Sequence, residues 1–310
     1  MTPRYLDDAA VRRLLDLNAL LPAIRRALID LSAGRVVQPL RSVMPMPAVD
    51  GLLFLKPALT GDALATKLIT LVPGNAERGL PTLLATVVLM DAATGAMRVT
   101  MDGTWLTELR TAAATAVAVD ALTSAGPKRV AMLGSGALAR SHALALRAVR
   151  PVSEIRVWSR DPQRVARCAA DIGGLACASA EEAVRGADVV CTVTQASEPV
   201  LRGEWLAPGS FVGAIGAPRP TWRELDDAAM RAGVVIADSR EAAEKESGDV
   251  ILSGVSVYAE IGEVLAGTVP RPPAGTTVIF KSLGQAVEDA VAARLVYDRA
   301  CAEAAAGAAR

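Results

Sequence analysis

Two groups of residues in this sequence have types and spacings suited to chemistry. The first is "LGSGALA" at 133–139, which fits G-x-G-x-x-A at Gly134, Gly136 and Ala139. The strand-like "RVAMLG" precedes it, "GALARSHALALRAV" reads as the helix after it, and "EIRVWS" is a second strand about 20 residues on. Gly134 permits a tight turn, Gly136 lets a pyrophosphate approach the backbone, and Ala139 lets the helix pack on the strand. The free N–H groups and positive dipole end of that helix would face a diphosphate. At the tip of the second strand, "VWSRDPQR", an acid would bind a ribose 2′-hydroxyl and repel a 2′-phosphate. Ser159 and Arg160 stand there instead, with Arg164 one turn along. A hydroxyl and guanidinium groups pair with a phosphate, so NADP(H) is the expected cofactor. Asp161 suits a helix cap, with Pro162 at the first helical position.

The second group is cationic. Arg41 in "QPLRSVMP", Lys67 in "LATKLITL" and Arg110 in "TELRTAAAT" each interrupt an apolar or small-residue stretch. A charge in such a place needs a partner. Internal salt bridges or snorkelling would supply one; a pocket for a substrate carboxylate beside a nicotinamide would supply another. The single histidine, His142, lies early in the glycine-turn helix, where it packs or hydrogen-bonds. One histidine cannot build a catalytic triad or a histidine metal site, and no metal is expected.

The elements that must position these residues fall into two textures. Residues 1 to about 30 are helical, with Pro22 between two segments and Gly34 as a stop. From 36 to 101 short β-rich runs are broken by Pro, Gly and Asp, with a hairpin turn at Ala92–Gly95; 104–124 is an alanine-rich helix. After Gly126-Pro127, strands alternate with helices, and "VVCTVT", "FVGAIG", "GVVIADS" and "TVIFKS" are continuous apolar runs. Such runs suit a parallel sheet covered on both faces. The expected fold is α/β: a Rossmann-type doubly wound parallel sheet over 126–282, and an N-terminal α/β domain over 1–125 joined by a closing helix over 283–310.

Composition narrows the function classes. Lys+Arg and Asp+Glu both number 33 and aromatics make up 3% of the 310 residues, which disfavours nucleic-acid binding. No apolar run approaches the ~20 residues of a membrane span. The N-terminus lacks a signal-peptide pattern. Cys168, Cys177, Cys191 and Cys301 have no metal or redox spacing and read as buried free thiols of a reducing cytoplasm.

Together the motifs "QPLRSVMPM", "ATKLITLVPGN", "TGAMRVTMDGTWLTELRTAAATAVA", "GSGALA", "VWSRDPQR", "TVTQASEPVL", "GAPRPTWRELD", "ADSREAAEKESGDVILSG" and "FKSLGQAVEDAVAARLVYD" resemble the ornithine cyclodeaminase/mu-crystallin family over nearly the full length. The mu-crystallin branch is the most similar. The resemblance implies an N-terminal domain that binds substrate and forms a homodimer, followed by a Rossmann domain. It places the substrate carboxylate on Arg41, Lys67 and Arg110, with Glu246 near the ligand. It implies cofactor contacts at Thr82, Arg110, Ser135, Gly136, Ala137, Leu138, Ser159, Arg160, Arg164, Thr194, Gln195, Ile215 and Ser282, besides the turn at Gly134. At Leu83 and Leu84, contacts would be backbone or apolar. Cyclodeaminases of the family carry an aspartate where this chain has Pro218, which cannot bind an ammonium or move a proton.

The expected reaction is therefore NADPH-dependent reduction of a cyclic ketimine carboxylate, with Arg41 and Arg110 on the carboxylate and Lys67 as proton donor. An amino-acid dehydrogenase acting on alanine or an N-alkyl amino acid, an ornithine cyclodeaminase, and a non-catalytic ligand-binding protein are the alternatives.

Overall fold

The computed structural model describes residues 4–308. The chain divides into two compact units, Met1–Arg110 with Gln285–Arg310, and Thr111–Gly284. These limits differ from 125/126 and 282/283, because the chain crosses between units inside a long helix, Thr104–Leu122, and not at Gly126-Pro127. Residues 1–3 and 309–310 of the expected domains lie outside the described residues.

The first unit holds strand β1 (Arg4–Leu6), helices α1 (Asp8–Leu14) and α2 (Leu17–Ser32), strands β2 (Ser42–Met46), β3 (Gly51–Thr60), β4 (Ala63–Leu71), β5 (Leu83–Asp91) and β6 (Met97–Asp102), and the start of α3 (Thr104–Leu122). Pro22 lies inside α2, so it does not separate two helices as expected. The break falls at Asp16, whose carboxylate accepts from Ala19 N–H and starts the second helix. The strands form one sheet in the order β1-β6-β5-β4-β3-β2. All pairs are antiparallel except β1 with β6. The β5–β6 hairpin closes where Gly95 N–H donates to Asp91.

The second unit runs β7 (Lys128–Leu133), α4 (Ala137–Val149), β8 (Val152–Trp158), α5 (Pro162–Ile172), β9 (Leu175–Ala176), α6 (Ala180–Val184), β10 (Val189–Thr192), β11 (Phe211–Ala214), α7 (Asp227–Arg231), β12 (Val234–Ala237), α8 (Arg240–Glu246), α9 (Gly248–Ser253), β13 (Val257–Glu260), α10 (Ile261–Ala266) and β14 (Val278–Lys281). Its sheet is parallel throughout, in the order β13-β12-β14-β11-β10-β7-β8-β9. Every residue of β10, β11 and β14 is buried, as a sheet covered on both faces requires. The order reverses at β7, between β8 and β10, and the crevice beyond the carboxyl ends of such strands is where doubly wound sheets bind ligands.

After β14 the chain returns to the first unit as α11 (Ala286–Ala308), which packs on β3, β4 and β5 and on α2. Gln38 ties its start. The Gln38 amide donates to Gln285 Oε1 at 2.8 Å and its oxygen accepts from Val287 N–H at 2.9 Å. All four cysteines are free, but only Cys168 and Cys191 are buried; Cys177 is half-buried and Cys301 exposed on α11. Among the described residues no helix is long and apolar enough to cross a membrane, and no cluster of ligands could hold a metal ion.

Candidate active site

In the second unit, the residues expected to hold a dinucleotide follow the ends of neighbouring strands. Gly134–Leu138 follow β7, Ser159 and Arg160 follow β8, Thr194 and Gln195 lie just beyond β10, Ile215 follows β11 and Ser282 follows β14. Gly134 has φ +126°, and a Cβ there would lie 2.8 Å from Val193, so the turn demands glycine. At Gly136 an added Cβ would meet nothing within 4 Å. Gly136 caps α4 without a side-chain hydrogen bond, and Ala139 N–H turns back to the Gly136 carbonyl at 3.2 Å; the open space beside Gly136 at this helix start fits a diphosphate. Arg140 donates to the carbonyls of Ser135 and Gly136, both at 3.1 Å, and so braces the loop.

Ser135 and Ser159 are joined by a 2.8 Å hydrogen bond between their hydroxyls. Arg160 and Arg164 are exposed, and among the described residues neither forms an ion pair. Asp161 is committed to the α5 N-terminus, accepting from Gln163 and Arg164 N–H. Two hydroxyls and two exposed guanidinium groups thus line this turn, while the Asp161 carboxylate is turned to its own helix. Ser282 fits less simply. It is buried, and its hydroxyl donates to Asp238 at 3.3 Å.

The Thr194–Gln195 loop is held by residues that sequence reasoning missed. Glu224 is fully buried; its Oε1 accepts from Thr194 N–H at 2.7 Å and Thr194 Oγ1 at 2.6 Å, and its Oε2 accepts from Thr192 Oγ1 at 2.7 Å. Asp249 accepts from Glu224 and Leu225 N–H, and Lys281 donates to Asp249 and to Gly216 carbonyl. Burial pushes the Glu224 carboxyl up, opposed by Lys281 and the threonine hydroxyls. His142 is neutral and structural: burial pushes it down to about 4, and its ring nitrogens meet Leu138 carbonyl at 2.7 Å and Thr115 Oγ1 at 3.1 Å. Pro218 is exposed after β11, and Ala217 before it adopts φ +51°, a left-handed conformation costly for a residue with a Cβ. Glu246 ends α8, half-buried, in this unit and not in the one that holds the cations.

In the first unit the cations meet acids from α11. Lys67, from β4, is completely buried; its Nζ donates to Asp289 Oδ1 at 2.6 Å and Thr107 Oγ1 at 3.2 Å. Arg110, also buried, donates from Nη1 to Glu288 Oε2 at 2.8 Å, and its Nε lies 2.8 Å from Asp289 Oδ1. The internal ion pairs considered for these cations thus exist at Lys67 and Arg110. Glu288 and Asp289 gave no distinct signal, because acids in the first turn of a helix are ordinary. Nor did the sequence reading single out Lys56, although it too interrupts an apolar strand. It lies opposite Lys67 in the β3–β4 ladder, and its charged neighbours are Asp289, Arg110, Arg41 and Glu288. Arg41 is half-buried just before β2, and Thr82 is half-buried before β5, its carbonyl accepting from Val72 N–H. Leu83 and Leu84 beside it are exposed.

The electrostatics set these groups apart from surface pairs. Burial pushes the Lys67 ammonium well below the usual lysine range; Arg110 and Lys56 push the same way and Asp289 opposes. Burial likewise lowers Lys56, to about 8. For Asp289 burial acts upward, but Arg110, Lys67 and Lys56 outweigh it and keep the carboxylate ionised. A buried lysine whose hold on its proton is weakened in this way is suited to acid–base work.

The family model for the ornithine cyclodeaminase/mu-crystallin family matches residues 3–304. The chain belongs to this family. Among its members, the ketimine reductase mu-crystallin of Mus musculus is 44% identical over 304 residues, covering 96% of this chain and 97% of that one. The Δ1-pyrroline-2-carboxylate/Δ1-piperideine-2-carboxylate reductase of Azospirillum brasilense is 35% identical, covering 94% of each. Of solved family structures, the Thermococcus litoralis Δ1-pyrroline-2-carboxylate reductase, in complex with NADH and L-proline, superposes with a TM-score of 0.92 at 30% identity, covering 97% of this chain and 98% of that chain. These family relatives are oxidoreductases named for acting on cyclic imines.

Proposed function

We propose that this protein reduces cyclic ketimine carboxylates, Δ1-pyrroline-2-carboxylate or Δ1-piperideine-2-carboxylate, to the corresponding cyclic amino acids with NADPH. The observation that carries the proposal is Lys67: wholly buried, oriented by Asp289 and Thr107, and held by burial well below the usual lysine range. In this reading Arg41 and Arg110 hold the substrate carboxylate, which orients the C=N bond. Lys67 gives a proton to the imine nitrogen, and the carbon becomes a better electron acceptor. When bound, NADPH supplies the hydride that forms the new C–H bond. Glu246 and Thr82 contribute to the substrate and cofactor sites respectively. The 2′-phosphate assignment is supported by Ser135, Ser159, Arg160 and Arg164.

The first unit is the substrate-binding and dimerising domain in this proposal, and the second binds NADP(H). A homodimer is supported by the exposed apolar edge strand β2, with Val43 and Met44 half exposed, since an uncovered edge of this kind invites pairing. Four free cysteines accord with a reducing cytoplasm. Pro218 speaks against cyclodeamination of ornithine. The test follows NADPH consumption with the two ketimines and, separately, ammonia release from ornithine. NADPH consumption with a ketimine supports the proposal; ammonia release without net cofactor turnover refutes it.

A further inference from the structure

Lys56 is the only charged residue of β3, and it is buried in a strand otherwise made of apolar, glycine and threonine residues. It pairs directly with Lys67 in the antiparallel β3–β4 ladder, so the two side chains leave the same face of the sheet as nearest cross-strand neighbours. That face is covered by α11. Two ammonium groups placed opposite each other in a desolvated layer oppose folding, and an apolar side chain would fill the position at lower cost. The reaction described above does not use Lys56.

We propose that Lys56 is a positioning residue that acts through Lys67, its charge favouring departure of the Lys67 proton toward the imine nitrogen. This inference rests on the assignment of Lys67 as proton donor. In the step, an N–H bond of the Lys67 ammonium breaks and its electron pair stays on Nζ. A new N–H bond forms at the imine nitrogen, and solvent reprotonates Lys67 after product leaves. The groups facing Lys67 are Lys56 from β3, Arg110 from α3, and Asp289 from α11, with Glu288 and Arg41 around Lys56. Asp289 and Thr107 fix the direction of the Lys67 ammonium. Arg110 and Lys56 oppose the hold that Asp289 exerts on the proton. Burial lowers Lys56 to about 8, which leaves most of it charged at neutral pH.

The experiment compares wild type with Lys56→Met and Lys56→Arg, and uses Lys56→Gln if the methionine variant does not fold. One arm titrates the 13Cε resonances of the full chain without substrate; with lysine only at 56, 67, 128, 245 and 281, Lys67 is assignable from a Lys67→Arg spectrum. The other arm records kcat/KM against pH with Δ1-piperideine-2-carboxylate. Loss of the charge should raise the Lys67 midpoint by about one pH unit, tenfold in proton affinity, and move the alkaline limb of the rate profile upward with it. At neutral pH kcat should fall about tenfold while KM changes less than about threefold. Lys56→Arg should keep both midpoints near wild type. An unmoved Lys67 midpoint overturns the inference, as does a large rise in KM with an unmoved limb, which would put Lys56 on the substrate. If wild type reduces no ketimine, the proposed reaction fails, while the resonance titration still reports whether Lys56 acts on Lys67.

Discussion

Lys67 and Asp289 are 222 residues apart in sequence, yet Lys67 Nζ donates to Asp289 Oδ1 at 2.6 Å with both side chains buried. Asp289 is brought there by α11, the helix that returns to the first unit after the parallel sheet is complete. The same carboxylate oxygen lies 2.8 Å from Arg110 Nε. One acid thus orients the proposed proton donor and one of the proposed carboxylate-binding arginines.

Replacing Lys67 with methionine removes the donor and leaves Asp289 beside Arg110. Reduction of Δ1-pyrroline-2-carboxylate should slow about 10²- to 10⁴-fold in kcat, the usual worth of a positioned acid. Steady-state kinetics with a circular-dichroism control for folding checks this.

Arg160→Asp inverts the charge at the tip of β8. NADPH affinity should fall at least about 100-fold more than NADH affinity, since the variant repels a 2′-phosphate and gains an acceptor for a 2′-hydroxyl. Fluorescence titration with each cofactor measures the ratio; equal losses would remove Arg160 from the phosphate site.

Glu224→Ala leaves Thr194 N–H and the Thr192 hydroxyl without their acceptor. Stability should fall by about 2–4 kcal/mol, as for other buried polar networks broken on one side. NADPH should bind about tenfold more weakly as the Thr194–Gln195 loop loosens, and Glu224→Gln should recover most of both. Urea unfolding and cofactor titration test the pair of effects.

His142 makes stability fall on the acid side. Its folded pKa, about 4, is below its ordinary value of 6.5, so as pH falls the unfolded chain takes the proton first. The loss begins as pH drops through about 6.5 and is complete near 4, amounting to roughly 3–4 kcal/mol at 1.36 kcal/mol per unit. Unfolding midpoints between those limits should show a shallower decline in His142→Gln than in wild type.

The parts of the molecule legible in sequence were those whose physics is local. A glycine turn at 134–136 announced the strand–helix–strand unit of β7, α4 and β8 without knowledge of the sheet. Continuous apolar runs announced parallel strands. The residues that escaped notice depend on distant partners. Glu288 and Asp289 have an ordinary reason to begin a helix, and only the return of α11 onto β3 and β4 gives them another. Glu224 stands in a polar loop and becomes informative only once Thr192 and Thr194 are placed against it. Lys56 carried the same signal as Lys67, a charge in an apolar strand, and needed the β3–β4 register to become significant. Strand β1 has three residues and is specified by pairing with β6.

The central claim is hydride transfer to the carbon of a cyclic C=N bond. The most direct measurement incubates the protein with NADPH deuterated at the transferring position and Δ1-piperideine-2-carboxylate, and follows the amino acid formed by mass spectrometry. The account predicts pipecolate carrying one deuterium at Cα, formed in equal amount with NADP⁺. Oxidation of NADPH without labelled product, or ammonia and proline from ornithine with no net NADPH loss, would contradict it.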